Sequence, residues 1–401
     1  MKSLYELGCR IYQTVFKLAI PILPYRRPER LKDYAEVVKV LKDHEVDSVI
    51  IVTDAGLRKT GIIDDFMKGF DQSDIKIVVY DKTVANPTIE NIMEAKRLYE
   101  EGSCKAIIAI GGGSSMDCAK GLGAKIARPN KDIRKMKGVL KVLKKIPLLI
   151  AVPTTAGTGS ETTLAAVITD EKTHFKYPIN DFVLIPKYAL LEPRLTLSLP
   201  KSLTSTTGMD ALTHAVEAYI GRSTTKKTRQ ESLEAVRLIF DNIKIAYDRP
   251  DDLKARKNML DAAYLAGCAF TVSYVGYIHA IAHSLGGKYG IPHGLANAVI
   301  MPYVLKGYKE AIYDKLKELA VYAKVASEDD SAKVAAEKFI KAIEELNAYM
   351  QIPDKLKGIR DEDIPTLARQ AEKEGNPLYP VPVFYTAKEL ERFYREVKEQ
   401  E

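Results

Sequence analysis

Asp210 and His214 stand four residues apart in the segment 208–217, whose apolar spacing is helical. That spacing puts a carboxylate and an imidazole on one helix face, within reach of one ion. A second stretch, 276–294, carries His279 and His283, again one helical turn apart, and then His293 between Pro292 and Gly294. The chain has only six histidines, and four of them fall in these two stretches. One carboxylate with several imidazoles suits Zn(II), Fe(II), Mn(II) or Co(II) without choosing among them. Spacing alone also leaves open whether His279 or His283 is the ligand.

A different chemistry is written at residues 106–117. An apolar run ends in Gly111-Gly112-Gly113, followed by Ser114, Ser115 and a helical pattern. Glycines let the backbone approach a ligand closely, and a helix N-terminus offers unpaired N–H groups to a phosphate. The spacing is not the GxGxxG fingerprint with an acid about 20 residues later. The acidic residue at a strand end, Asp54, precedes the loop instead. If a dinucleotide binds here, the strand order differs from the common one. A carboxylate at Asp54 would accept ribose hydroxyls and repel a 2′-phosphate, favouring NAD over NADP.

These residues need elements to position them. Short β-branched runs at 48–52, 75–80, 106–110 and 147–152 alternate with helical stretches such as 89–101. Continuous apolar runs of this kind predict a mainly parallel sheet covered on both faces, with ligands at the carboxyl ends of the strands. Beyond residue 199 the periodicity changes to three- and four-residue steps, in 209–220, 228–247, 253–270 and 330–346. The expected organisation is an α/β domain over 1–198 and an all-helical domain over 199–401, with the boundary near Pro193 and Pro200.

Composition narrows the class further. The 401 residues are 46% apolar and 28% charged, which excludes a disordered, fibrous or disulfide-scaffold protein. The net charge of +7 is a mild excess over a large surface, and no nucleic-acid motif accompanies it. Residues 127–146 hold eight Lys/Arg and one Asp, which reads as a solvated segment or as long-range attraction for a phosphorylated ligand. The four cysteines have no CxxC spacing, and the apolar N-terminal stretch is interrupted by charge and proline. A cytoplasmic protein with no membrane partner is expected.

With these motifs in hand, the sequence resembles the iron-containing (group III) alcohol dehydrogenases over essentially its whole length. The resemblance rests on Gly111-Gly112-Gly113-Ser114, the run from Pro153 through Glu161, the Asp210/His214 segment and the His279/His283/His293 segment. It implies a Rossmann-like dinucleotide-binding domain, a helical domain of the dehydroquinate synthase-like type, and an active site between them. The implied metal ligands are Asp210, His214, His279 and His293, holding Fe(II) or Zn(II). His283 would then be a nearby non-ligand histidine beside nicotinamide and substrate, suited to relaying a proton. Implied cofactor-binding positions are Asp54, Asn86, Gly112, Gly113, Ser114, Thr154, Thr155, Lys176 and Leu195, and Phe270 falls where such enzymes place a substrate-pocket aromatic. The implied activity is NAD-linked interconversion of an alcohol and an aldehyde by a homodimer or larger homo-oligomer. A hydroxyacid–oxoacid transhydrogenase or a polyol dehydrogenase is the alternative on the same scaffold. A non-redox lyase fits less well, because the histidine stretches are flanked by Ala, Ile, Leu, Tyr and Gly rather than by cations.

Overall fold

A computed structural model describes residues 2–172 and 175–400. The chain forms two compact units, Pro24–Leu199 and a second made of Met1–Leu23 with Pro200–Glu401. Nine strands occur among the described residues: β1 Glu29–Leu31, β2 Ser48–Val52, β3 Lys76–Tyr80, β4 Ala106–Gly111, β5 Gly138–Val139, β6 Leu148–Pro153, β7 Ala165–Asp170, β8 Phe175–Asn180 and β9 Tyr188–Leu190. The first helix, α1, is Lys2–Ala19. Within the α/β unit lie α2 Tyr34–Asp43, α3 Ala55–Lys59, α4 Ile62–Lys68, α5 Ile89–Glu101 and α6 Gly113–Ala127.

Six strands form one sheet in the order β1-β9-β6-β4-β2-β3, every neighbouring pair parallel. The apolar runs are continuous because both faces are covered. Ile50, Val52, Ile107 and Ala109 pack with Ile92, Met116 and Leu122 of α5 and α6. Their alternates Val49, Ile51, Ile108 and Ile110 pack with Val37, Leu41, Ile63 and Phe66 of α2 and α4. This is period-two alternation with a helical layer on each side. From β2 the chain steps to β3 at one edge and returns to β4 on the other side of β2. That reversal is the topological switch point, where open α/β sheets bind ligands. It lies between the ends of β2 and β4, next to Asp54 and the glycine loop.

A smaller sheet, β5-β8-β7, includes the antiparallel pair β7–β8. The sequence did not announce it, nor the three-residue strands β1 and β9. Two side chains of the basic segment have local partners: Arg134 Nε donates to Asp170 Oδ2 at 2.7 Å, and Lys131 Nζ to the Lys141 carbonyl at 2.7 Å.

The helical unit contains α7 Lys201–Ile220, α8 Lys226–Asp248, α9 Leu253–Ser273, α10 Tyr277–Tyr289, α11 His293–Tyr308, α12 Tyr313–Tyr322, α13 Ala332–Tyr349, α14 Ile364–Gly375 and α15 Ala387–Val397. Every residue of α7 from Gly208 to Ile220 is buried, which makes it the unit's central helix. The units divide at Leu199/Pro200, one residue from the expected 198/199, and the N-terminal residues group differently from that expectation. Residues up to Leu23 belong with the helical unit, because α1 is tied to it. Gln13 Nε2 donates to the Tyr379 carbonyl at 2.7 Å, and Arg10 donates to that of Val381 at 2.7 Å. Among the described residues no single helix is long and apolar enough to cross a membrane.

The loop after β6 is held by a buried lysine. Lys120 of α6 donates to Ser160 O at 2.7 Å, Thr163 Oγ1 at 2.7 Å and Ala165 O at 2.9 Å. Asp117, one turn earlier, accepts from Ser160 Oγ at 3.1 Å and from the Val167 amide at 3.1 Å. Burial pulls Lys120 down to about 8 and pushes Glu161 up to about 7. Removing one member strands the others in a dry interior. Lys120→Met is expected to lower unfolding free energy by about 3–5 kcal/mol in denaturant titrations. A loss below about 1 kcal/mol would contradict this role for the network.

Candidate functional site

Three helices bring four side chains to one point. Asp210 and His214 lie one turn apart on α7, His279 sits in the first turn of α10, and His293 opens α11. One ligand atom from each falls within 4.8 Å of all the others. Asp210 Oδ1 is 3.4 Å from His293 Nε2 and 3.8 Å from His279 Nε2. A tetrahedral ion with bonds of about 2.1 Å separates its ligands by about 3.4 Å, so these residues fit a divalent cation. The donor set, one carboxylate oxygen and three imidazole nitrogens, suits Fe(II) or Zn(II). Burial, and then the neighbouring His214, His293 and His283, hold His279 well below 6.5, so it stays neutral and able to ligate.

Three neighbours that the sequence reading did not single out as part of this site orient it. Glu217, one helical turn beyond His214 and buried, lies 2.6 Å from His279 Nδ1 and accepts the Ile278 amide at 2.8 Å. Burial pushes its carboxyl up to about 8, against the amides of Gly276, Ile278 and His279 that pull it down. When Glu217 is ionised it accepts the Nδ1 proton, and His279 Nε2 is left free to face Asp210. Gly276 permits the approach, since a Cβ there would sit 2.7 Å from Glu217 Oε1. Asn297, fully buried one turn after His293, donates to Asp210 Oδ1 at 2.7 Å, and the same Nδ2 is 3.2 Å from His279 Nε2 and 3.1 Å from His293 Nε2. Its proximity to all three atoms marks their common centre. Glu374, on α14, holds His283. The sequence signals for the first two were their positions, +7 from Asp210 and +4 from His293, on faces already bearing candidate ligands.

Phe270 stacks on His214, with ring centroids 4.1 Å apart and planes 13° apart. His283 stands outside the converging set although it shares a helix face with His279. Its Nδ1 is 2.6 Å from Glu374 Oε1, its side chain is 44% exposed, and its ring lies 5.1 Å from that of His293. Burial pushes Glu374 up, yet His283 and the Tyr379 hydroxyl together hold its carboxyl below the ordinary value.

In the α/β unit the sequence-derived positions gather at the carboxyl ends of the strands. Asp54 caps α3, its Oδ1 accepting the Leu57 amide at 3.0 Å. Gly112 is the N-cap of α6, with Gly113 and Ser114 as its first residues. Gly111 sits at φ +152°, and a Cβ there would lie 2.4 Å from Ser115 Oγ. A Cβ at Gly112 would meet Thr155 at 3.4 Å, so the two loops touch. Thr154 donates its amide to Gly111 O at 3.0 Å. Asn86 donates its amide to Ser114 Oγ at 3.3 Å, while Lys176 Nζ donates to Asn86 Oδ1 at 2.6 Å. Leu195 is buried with Val37, Leu41 and Val152.

Comparison with known proteins agrees with this picture. Residues 30–193 match the iron-containing alcohol dehydrogenase family model, and 204–397 match the model of the Fe-containing alcohol dehydrogenase family C-terminal region. The chain is 37% identical to 1,3-propanediol dehydrogenase of Citrobacter freundii over 90% of this chain and 94% of that one. It is 36% identical to the NAD-dependent methanol dehydrogenase of Bacillus methanolicus, over 84% of this chain and 88% of the relative. The structure of an alcohol dehydrogenase from Oenococcus oeni superposes with a TM-score of 0.88 at 35% identity, covering 93% of this chain and 100% of that one. The chain belongs to the iron-containing alcohol dehydrogenase family. It is a metal-dependent, nicotinamide-linked alcohol dehydrogenase, with an α/β unit and a helical unit.

Glu217 is expected to act on metal retention through His279. In metal-buffer competition on the stripped protein, Glu217→Ala should weaken affinity about 10- to 100-fold, with Glu217→Gln recovering part of the loss. An Ala variant within about twofold of the parent would contradict that positioning role.

Proposed function

We propose that this protein interconverts short primary alcohols and aldehydes with NAD(H), using one divalent ion, Fe(II) or alternatively Zn(II), held by Asp210, His214, His279 and His293. The observation that carries this reading is the convergence of those four donors within 4.8 Å. When bound, the ion supplies Lewis acidity toward the substrate oxygen, and a nicotinamide ring gives or takes the hydride.

The chain's own residues do the rest. Gly112, Gly113 and Ser114 present free α6 amides to a pyrophosphate at the sheet's switch point. Thr154 and Thr155 wall that loop, and Asn86 with Lys176 closes its other side. Asp54 is placed to bind ribose hydroxyls and to repel a 2′-phosphate. His283, half-exposed beside the donor cluster and braced by Glu374, passes the hydroxyl proton to water. Phe270, stacked on His214, offers the substrate an apolar wall. None of the four cysteines forms a disulfide, which suits a reducing cytoplasm. A homo-oligomer acting on small molecules, without nucleic acid or membrane, completes the reading.

Assays at 340 nm with a panel of short alcohols and aldehydes test the activity, which chelation should abolish and Fe(II) or Zn(II) restore. Inertness toward the whole panel after reconstitution would remove this reading. Asp54→Gly should narrow the ratio of kcat/KM for NAD over NADP, and an unaltered ratio would count against that carboxylate. His283→Ala should lower kcat and shift its pH profile; an unchanged rate and profile would discard the relay.

A further inference from the structure

His283 is held from a distance. Its Nδ1 lies 2.6 Å from Glu374 Oε1, and the same oxygen accepts the Tyr379 hydroxyl at 2.7 Å. Burial, and then the charge of Glu374, keep the Tyr379 phenol well above 10, so it stays a donor. Tyr379 stands in 376–385, an irregular stretch between α14 and α15. The ends of that stretch are fastened to α10: the Tyr277 hydroxyl donates to Asn376 Oδ1 at 2.8 Å and accepts the Tyr385 amide at 3.0 Å. The Arg222 amide donates to the Pro380 carbonyl at 2.7 Å. The rest of its middle is fastened to α1. Gln13, buried, donates to the carbonyls of Pro377 at 3.3 Å and Tyr379 at 2.7 Å. Arg10 donates to those of Val381 at 2.7 Å and Pro382 at 3.3 Å.

Aromatic contacts make the same connection a second time. The Phe16 ring of α1 meets that of Tyr274 at 5.1 Å, and the Tyr274 ring meets that of Tyr379 at 6.4 Å. Tyr274 ends α9 at φ +62° and ψ 179°, a conformation nearly confined to glycine. Another residue persists there only where its surroundings over-determine it, and such outliers gather at functional sites. This one lies four residues after Phe270 and five before His279.

We propose that Tyr379 is a positioning residue for His283, and that α1, which lies outside the matched segments 30–193 and 204–397, is the brace that sets it. The inference rests on the proton-relay reading of His283. With Glu374 Oε1 accepting the Nδ1 proton, the imidazole lone pair lies on Nε2, where the hydroxyl proton is taken up before it passes to water. The Tyr379 hydroxyl fixes the carboxylate oxygen that selects this tautomer. Gln13 and Arg10 fix the backbone from which that phenol reaches.

Single-turnover NADH formation by the reconstituted full-length enzyme, followed by stopped flow with the best alcohol of the panel, tests this in two backgrounds. Tyr379→Phe keeps the ring and removes the donor, and Gln13→Leu removes the brace. Each should slow the turnover about fivefold, the worth of one hydrogen bond, while KM for alcohol and for NAD stays within about twofold. In a His283→Ala background each should change the rate by less than about twofold, because a residue acting through His283 has nothing left to act on. An unchanged rate in Tyr379→Phe, or an equal loss in both backgrounds, would overturn the positioning role and leave the relay standing. An unchanged rate in Gln13→Leu beside a slowed Tyr379→Phe would overturn the brace. A His283→Ala enzyme as fast as its parent would remove the relay itself, and this inference with it.

Discussion

Everything in the helical unit answers to one constraint: a carboxylate and three imidazoles must be buried around a single point without ruin to the fold. Taking a carboxylate out of water is costly unless hydrogen bonds or a cation offset the loss. Here Asp210 accepts from Asn297, His279 leans on Glu217, and His214 is clamped by Phe270. A central helix buried on all sides is the consequence. Only such a helix can carry Asp210, His214 and Glu217 inward on successive turns while α10 and α11 deliver the other two imidazoles. Orientation is thus set by groups that themselves need not touch the ion.

The α/β unit solves a separate problem with backbone. A sheet buried on both faces leaves only its carboxyl edge free for chemistry, and the reversal of strand order between β2 and β4 opens space there. Gly111 takes a conformation with no room for a side chain, so the chain turns directly from β4 into α6 with its amides bare. The loop beside it has little regular structure of its own, and the buried ammonium of Lys120 fastens it to α6. Each unit has its own core, and the two chemistries are kept on different kinds of scaffold.

Much of this was legible in the residues. Strands β2, β3, β4 and β6 and helix α5 were foreseen within a residue or two from continuous β-branched runs and a three-four periodicity, whereas the six-residue β7 and β8 were not. The histidine stretches announced a metal site, but i,i+4 spacing treats His279 and His283 alike. What separates them is a partner 91 residues away, Glu374, which draws His283 aside. The three-residue strands β1 and β9 carry too little pattern to notice. The N-terminal residues were assigned by chain order to the α/β unit, whereas hydrogen bonds to carbonyls beyond residue 376 decide where α1 belongs.

The proposed chemistry depends on a cation at the meeting point of Asp210, His214, His279 and His293. Anomalous diffraction from crystals of the reconstituted enzyme, collected at the absorption edge of the added metal, addresses it most directly. One peak per chain about 2.1 Å from Asp210 Oδ1 and the three imidazole nitrogens is the predicted result. A peak elsewhere, with these four side chains unliganded in a fully active crystal, would contradict it.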